Sequence, residues 1–218
     1  MIKAIIFDLD DTLVNTWPWH RRAIDMALKP YGKKLADLDP AKIHNVVGRR
    51  TRDAFDYLRQ ELGLPTTVAE LVKTHHTVDK ALCDEYQTLM PGAVELLKRL
   101  KTQELRLAVV SSGWKPYVES VLEKWGLRKY FDDIIGGDEV TIGKPAPEPY
   151  LDALKDLRLL PADCVVVEDS QSGIESAKAA GCYCIAVRNP NTPPQDCSGA
   201  DLVVNTLSDI DTTKLQQL

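Results

Sequence analysis

From Leu105 onward, short apolar runs alternate with helix-length segments, and that alternation is the strongest constraint on the fold. Leu105 to Val110, Phe131 to Ile135, Cys164 to Val167, Tyr183 to Val187 and Asp201 to Val204 read as strands. The stretches Lys115–Trp125, Glu148–Leu157 and Ser172–Ala180 between them read as helices. Such runs, rich in β-branched residues and lacking polar alternation, predict strands buried on both faces, hence a parallel sheet wound on both sides. Ile2 to Phe7 is a run of the same kind and supplies the first strand.

Between that strand and the alternating series the character changes. Residues 15–87 read as helical with no convincing strand: Trp17–Leu28, Thr51–Leu62 with Thr51 as its cap and Gly63 as its stop, and Val68–Tyr86. A turn at Met90-Pro91-Gly92 and a helix from Val94 to Lys101 lead back to the strands. The organisation expected is an α/β unit of residues 1–14 and 88–218, interrupted by a helical unit of residues 15–87.

Composition narrows the class. A net charge of -5 over 218 residues lacks the basic excess of a nucleic-acid binder. No apolar run reaches the roughly 18 residues of a membrane span, and the apolar opening is too short for a signal peptide. The expectation is a soluble, cytoplasmic protein, monomeric or a weak homodimer, with neither nucleic acid nor membrane as partner. Five cysteines, Cys83, Cys164, Cys182, Cys184 and Cys197, form no CxxC and have no nearby histidine, so they read as reduced and structural.

The chemistry concentrates where strands end, the usual place for sites in open α/β sheets. Strand one stops at Asp8-Leu9-Asp10-Asp11-Thr12. In extended backbone Asp8 and Asp10 share a face, and two such carboxylates stay ionised together most readily beside a divalent cation. An ionised carboxylate can attack phosphorus and a second can move a proton. Ser111-Ser112 follows a strand and precedes a helix, a setting that suits an oxyanion or, equally, a simple cap. Lys144 sits in the proline-rich Gly143-Lys144-Pro145-Ala146-Pro147 connection, as a solvated lysine or as a charge that neutralises phosphate. Gly137 to Lys144 resembles a P-loop but has the wrong glycine spacing and Pro145 in place of Ser/Thr. Glu168-Asp169 closes a Val-Val-Val strand; capping by Ser170 and by a Ser172…Glu175 box explains the serines but leaves Glu168 without a task.

In this order, the features resemble the haloacid dehalogenase superfamily over nearly the whole chain. The family's DxDx[T/V] motif matches Asp8, Asp10 and Thr12, its hydroxyl motif Ser111, its KPxPxx[YF] motif Lys144 and Tyr150, and its EDSxxG motif Glu168, Asp169, Ser170 and Gly173. The resemblance implies a Rossmann-like core with residues 15–87 as a small helical cap. It implies Mg2+ held by Asp8, Asp169 and the carbonyl of Asp10, with Asp10 and Glu168 in the metal's acid cluster. Asp8 would be the nucleophile and Asp10 the acid, then the base. Ser111, Ser112 and Lys144 would hold phosphate, and the substrate would be a small phosphorylated metabolite, a sugar phosphate or phosphoglycolate. The departure is Asp11, where the family usually has Gly.

Within the helical unit His20, Gly48, Arg49, Arg52 and Lys73 are the candidate substrate contacts. Arg49, Arg50 and Arg52 crowd a helix start, where cations oppose the dipole, so an anionic or sugar ligand is expected for at least one. His75 and His76 read as surface residues, and Trp17 and Trp19 as packing. His20 and Lys73 fall near cap residues of β-phosphoglucomutase, which leaves a sugar phosphomutase as the alternative to a phosphatase. Outside enzymes, a receiver-like phosphoacceptor or a regulatory binding protein would also use an acid cluster, a hydroxyl, a lysine and Mg2+.

Overall fold

The computed structural model describes residues 1–215, with the side chains of 78–86 left aside, so Cys83 lies outside what is described. The chain begins with β1 (Ala4–Phe7) and β2 (Val14–Asn15), then enters three helices, α1 (Trp17–Leu28), α2 (Thr51–Glu61) and α3 (Val68–Tyr86). It leaves them through β3 (Thr88–Leu89) and α4 (Ala93–Thr102). The alternating part is β4 (Arg106–Val110), α5 (Lys115–Lys124), β5 (Asp133–Ile135), α6 (Glu148–Leu157), β6 (Cys164–Glu168), α7 (Gln171–Ala179), β7 (Tyr183–Val187), β8 (Leu202–Val204) and α8 (Thr212–Leu215).

Six strands pair in the order β5-β4-β1-β6-β7-β8, every pairing parallel. β1 lies in the middle, and its side chains alternate between two cores. Ile5 and Phe7 face a cluster with Leu96, Leu97 and Leu100 of α4 and Val118, Val121 and Leu122 of α5. Ala4 and Ile6 face the opposite cluster with Tyr150, Ala153 and Leu154 of α6 and Ile174 and Ala177 of α7. Both faces of the sheet are thus covered, which is why its strands read as unbroken apolar runs. The four described cysteines are free and buried in this interior.

Helices α1 to α3 bury a third apolar cluster whose fully buried members run from Trp17 to Leu71, including Ile24, Leu28, Phe55 and Leu58. The two ends of this helical unit meet in a short antiparallel ribbon, Val14 opposite Leu89 and Asn15 opposite Thr88. The ribbon falls at the expected boundary and has no sequence signal of its own, because two-residue strands carry no periodicity to read. Thr51 is the first helical residue of α2 and not its cap; Arg50 holds the cap position without a side-chain bond. α1 is capped from a distance: Asp11 Oδ1 accepts the main-chain N–H groups of Thr16 and Trp17, each at 2.9 Å. Asp11 does this at φ 66°, a left-handed conformation that Gly adopts without strain and Asp tolerates better than most residues.

Candidate active site

Parallel strands bring their carboxyl ends to one edge, so the loops after β1, β4 and β6 converge there with Lys144 from the loop before α6. Lys144 is 2% exposed and Glu168 0%, so neither is a solvated charge. Lys144 Nζ donates to Asp8 Oδ1 at 2.7 Å, to Glu168 Oε1 at 2.6 Å and to the Val110 carbonyl at 3.2 Å. Burial would lower the lysine's pKa, but the carboxylates of Asp8 and Glu168 outweigh it and hold the ammonium above its usual value. The linker-lysine reading is therefore excluded by geometry.

Glu168 acquires its task here. Its Oε1 accepts from Lys144 and from the Tyr150 hydroxyl at 2.9 Å, and its Oε2 accepts from the N–H groups of Asp169 and Ser170 and from Ser170 Oγ. The carboxylate fills the space beside Gly173, where an added Cβ would overlap it, so the glycine of the EDSxxG motif is required by packing. Ser170, not Ser172, caps α7 by accepting from Gly173 N at 3.1 Å. The Ser172 hydroxyl instead donates to the Val47 carbonyl of the helical unit at 3.2 Å, which corrects the capping-box reading.

Asp8, Glu168 and Asp169 each bring a carboxylate oxygen within 4.8 Å of one another. Asp169 Oδ1 accepts from Thr12 Oγ1 at 3.0 Å, whereas its Oδ2 is buried without a hydrogen-bond partner. Burial raises the pKa of Asp8 well above the usual carboxylate value, with Lys144 offsetting part of the effect. Burial and then the neighbouring Asp11, Glu168 and Asp8 raise that of Asp169. Carboxylate oxygens, an orphaned buried acceptor and one lysine against several acids are a donor set that fits a hard divalent cation.

Asp10 faces away from that cluster. Its carboxylate accepts from Tyr117 OH at 2.6 Å and Ser111 Oγ at 3.1 Å and lies 3.8 Å from His20 Nε2. Burial acts to raise the Asp10 pKa, but His20, Tyr117 and Ser111 together hold it below the usual value. The sequence-expected residues thus divide into two groups, Asp8–Lys144–Glu168–Asp169 and Asp10–Ser111–His20, side by side at the edge of the sheet.

Above them the helical unit closes a cavity of about 80 Å3. Asp8, Asp10, His20, Gly48, Arg49, His75 and Ser112 line it with the apolar Trp17, Ile24, Val46, Phe55 and Leu58. Of the five candidate contacts, His20, Gly48 and Arg49 reach the cavity. Arg52 borders an outer cleft instead, and Lys73 is exposed on α3 and lines no part of it. His75 corrects the surface reading: it is 2% exposed, stacks on His20 with centroids 5.8 Å apart and meets Phe55 edge-on at 5.5 Å. Burial, reinforced by His20 and His76, pushes its pKa well below the usual histidine value. His76 points outward against Trp114. Tyr117 carries no sequence signal of its role, and His75 reads as a surface residue. Tyr117 lies on a helix that no motif marks, and a His-His doublet does not say which ring turns inward.

The chain belongs to the haloacid dehalogenase-like hydrolase family, whose model matches residues 5–187. It is 35% identical over 211 residues to the bifunctional riboflavin kinase/FMN phosphatase of Arabidopsis thaliana, covering 95% of this chain and 54% of that protein, so it spans about half of that relative. It is 33% identical over 181 residues to a phosphorylated carbohydrates phosphatase of Thermotoga maritima, with 83% of this chain and 82% of that one covered. Among solved structures, CbbY from Rhodobacter sphaeroides in complex with phosphate superposes with a TM-score of 0.82 at 29% identity, covering 96% of each chain. The family is one of enzymes, and these relatives named as phosphatases set aside the receiver and binding-protein alternatives. Among the described residues no helix is long and apolar enough to cross a membrane.

Proposed function

We propose that the chain is a Mg2+-dependent phosphatase of a small phosphomonoester, a sugar phosphate or phosphoglycolate, working through a phosphoryl group on Asp8. The observation that carries the reading is the buried Asp8–Lys144–Glu168 arrangement beside the partnerless Asp169 Oδ2. Asp8 and Asp169, with the Asp10 carbonyl, would hold Mg2+, and Glu168 would stand behind them, its oxygens already taken by Lys144, Tyr150 and the Ser170 turn. When bound, the metal supplies positive charge against the phosphoryl oxygens and between the carboxylates.

The residues then divide the work. Asp8 forms a bond to phosphorus as the ester P–O bond breaks, and Asp10 delivers a proton to the departing alcohol oxygen. Water next adds to phosphorus while Asp10 takes its proton, and the bond to Asp8 breaks, releasing inorganic phosphate. The donors around Asp10 favour its charged form, which suits the second step directly; for the first, His20, 3.8 Å away, is placed to hand Asp10 the proton that Asp10 delivers. Lys144 and Ser111 hold phosphoryl oxygens, and Ser112 does so through its main-chain N–H, since its hydroxyl donates to the Gly48 carbonyl at 2.7 Å. Residues 15–87 act as a cap that excludes water. Arg49 reads the far end of the substrate: its Nε is buried at the cavity without a partner.

Phosphate release from a panel of small phosphomonoesters, with Mg2+ and with chelator, tests this. Magnesium-dependent release that disappears in Asp8→Asn is expected. Fast conversion of a hexose 1-phosphate to its 6-phosphate with little release would instead assign the site to a phosphomutase, the alternative that His20 beside Asp10 leaves open.

A further inference from the structure

Two serines from different segments at the sheet's carboxyl edge donate to adjacent carbonyls of the helical unit. Ser112 Oγ, after β4, bonds Gly48 O at 2.7 Å, and Ser172 Oγ, in the first turn of α7, bonds Val47 O at 3.2 Å. Between them Gly48 lies at φ 73°, and a Cβ on it would collide with Ser170 Oγ and approach Ser172 Oγ to 2.7 Å. A third segment grips the next residue but one. Arg50 is held against Asp53 through Nε at 2.6 Å and Nη2 at 3.2 Å, while its Nη1 donates to the carbonyls of Val140 and Thr141 at 3.1 and 3.2 Å. Two loops of the sheet and the first turn of α7 therefore hold residues 47, 48 and 50. The residue left between them, Arg49, lines the cavity.

We propose that Ser112 and Ser172 are positioning residues that dock the Val47–Arg50 segment. By fixing where Arg49 stands relative to Asp8, they select phosphomonoesters by the reach of a second, anionic group. This rests on the phosphatase reading for its substrate but not for the dock itself. A serine hydroxyl donating to a main-chain carbonyl is the cheapest link that can be made and broken as a segment lifts, because water replaces it on both sides. One such neutral bond shifts a docked-to-open ratio about fivefold, and two independent ones roughly 25-fold.

The test uses the full chain as wild type, Ser112→Ala, Ser172→Ala and the double variant. Hydrogen exchange of the peptide containing residues 47–50 is followed beside phosphate release from phosphoglycolate and from methyl phosphate, which has no second anion. Exchange there rises about fivefold in each single variant and roughly 25-fold in the double. In Ser172→Ala the kcat/KM for phosphoglycolate falls by a similar factor, mostly through KM, while methyl phosphate changes much less; Ser112, whose main chain holds phosphate, is judged by exchange alone. The serines lie in separate segments, one after β4 and one in α7, so a folding failure of one variant leaves the other to decide. Unchanged exchange in the double variant overturns the dock, and equal loss on both esters overturns the selectivity. If wild type releases no phosphate from any ester, the phosphatase reading fails, and the exchange comparison alone still decides the dock.

Discussion

At the scale of single residues, the site is defined by how few of its charges are paired one to one. Lys144 serves two carboxylates, Asp10 draws on Ser111, Tyr117 and His20, and Asp169 keeps one oxygen without a partner. His75 is the complementary case, an imidazole held neutral by burial between His20 and Phe55. Its pKa is depressed in the folded chain and ordinary in the unfolded one, so between the two values the unfolded state binds more protons. The stability due to this neutral ring is complete above about pH 6.5 and is lost as pH falls below it. Replacing His75 by Phe keeps the ring packing and removes the proton. The melting temperature of wild type should fall more steeply from pH 7 to pH 5 than that of His75→Phe; equal slopes would show that His75 does not titrate abnormally.

At the scale of elements, the motif glycine Gly173 matters through the space it leaves. Gly173→Ala would force its Cβ into the Glu168 carboxylate and through it disturb Lys144. A loss of about 2–3 kcal/mol in urea unfolding is expected, with weakened phosphate release; an unperturbed midpoint would mean that Glu168 can move away at no cost. These elements also show what the sequence could tell. The strand ends were legible because a buried parallel strand must be apolar throughout, so the acids that terminate it stand out. Lys144, Glu168 and Asp169 could be named from their order along the chain, but their mutual bonding could not, because it joins loops whose crossing is set by the sheet order. Ser172 was misread for the same reason: a Ser three residues before Glu175 matches a local capping pattern, and its partner, Val47, is 125 residues away. Arg50 and Tyr117 likewise act on distant loops, which no local spacing signals.

At the scale of the whole molecule, a sheet with two cores supports a helical unit with a third, joined by the ribbon at residues 14–15 and 88–89 and by the dock at 47–50. The acid cluster lies where they meet, so a cation bound there stabilises the folded chain by mass action, by about 2.7 kcal/mol at a hundredfold excess over its dissociation constant. Added Mg2+ should raise the melting temperature of wild type and leave that of Asp169→Asn unmoved; equal shifts in both would place the ion elsewhere. The central claim is that Asp8 carries the phosphoryl group. The most direct measurement is the intact mass of the chain, acid-quenched during turnover of a substrate found in the ester panel, in wild type, Asp10→Asn and Asp8→Asn. One added phosphoryl group mapping to Asp8, accumulating in Asp10→Asn and absent from Asp8→Asn, is the predicted result. Continued turnover by Asp8→Asn, or an adduct on any other residue, would contradict it.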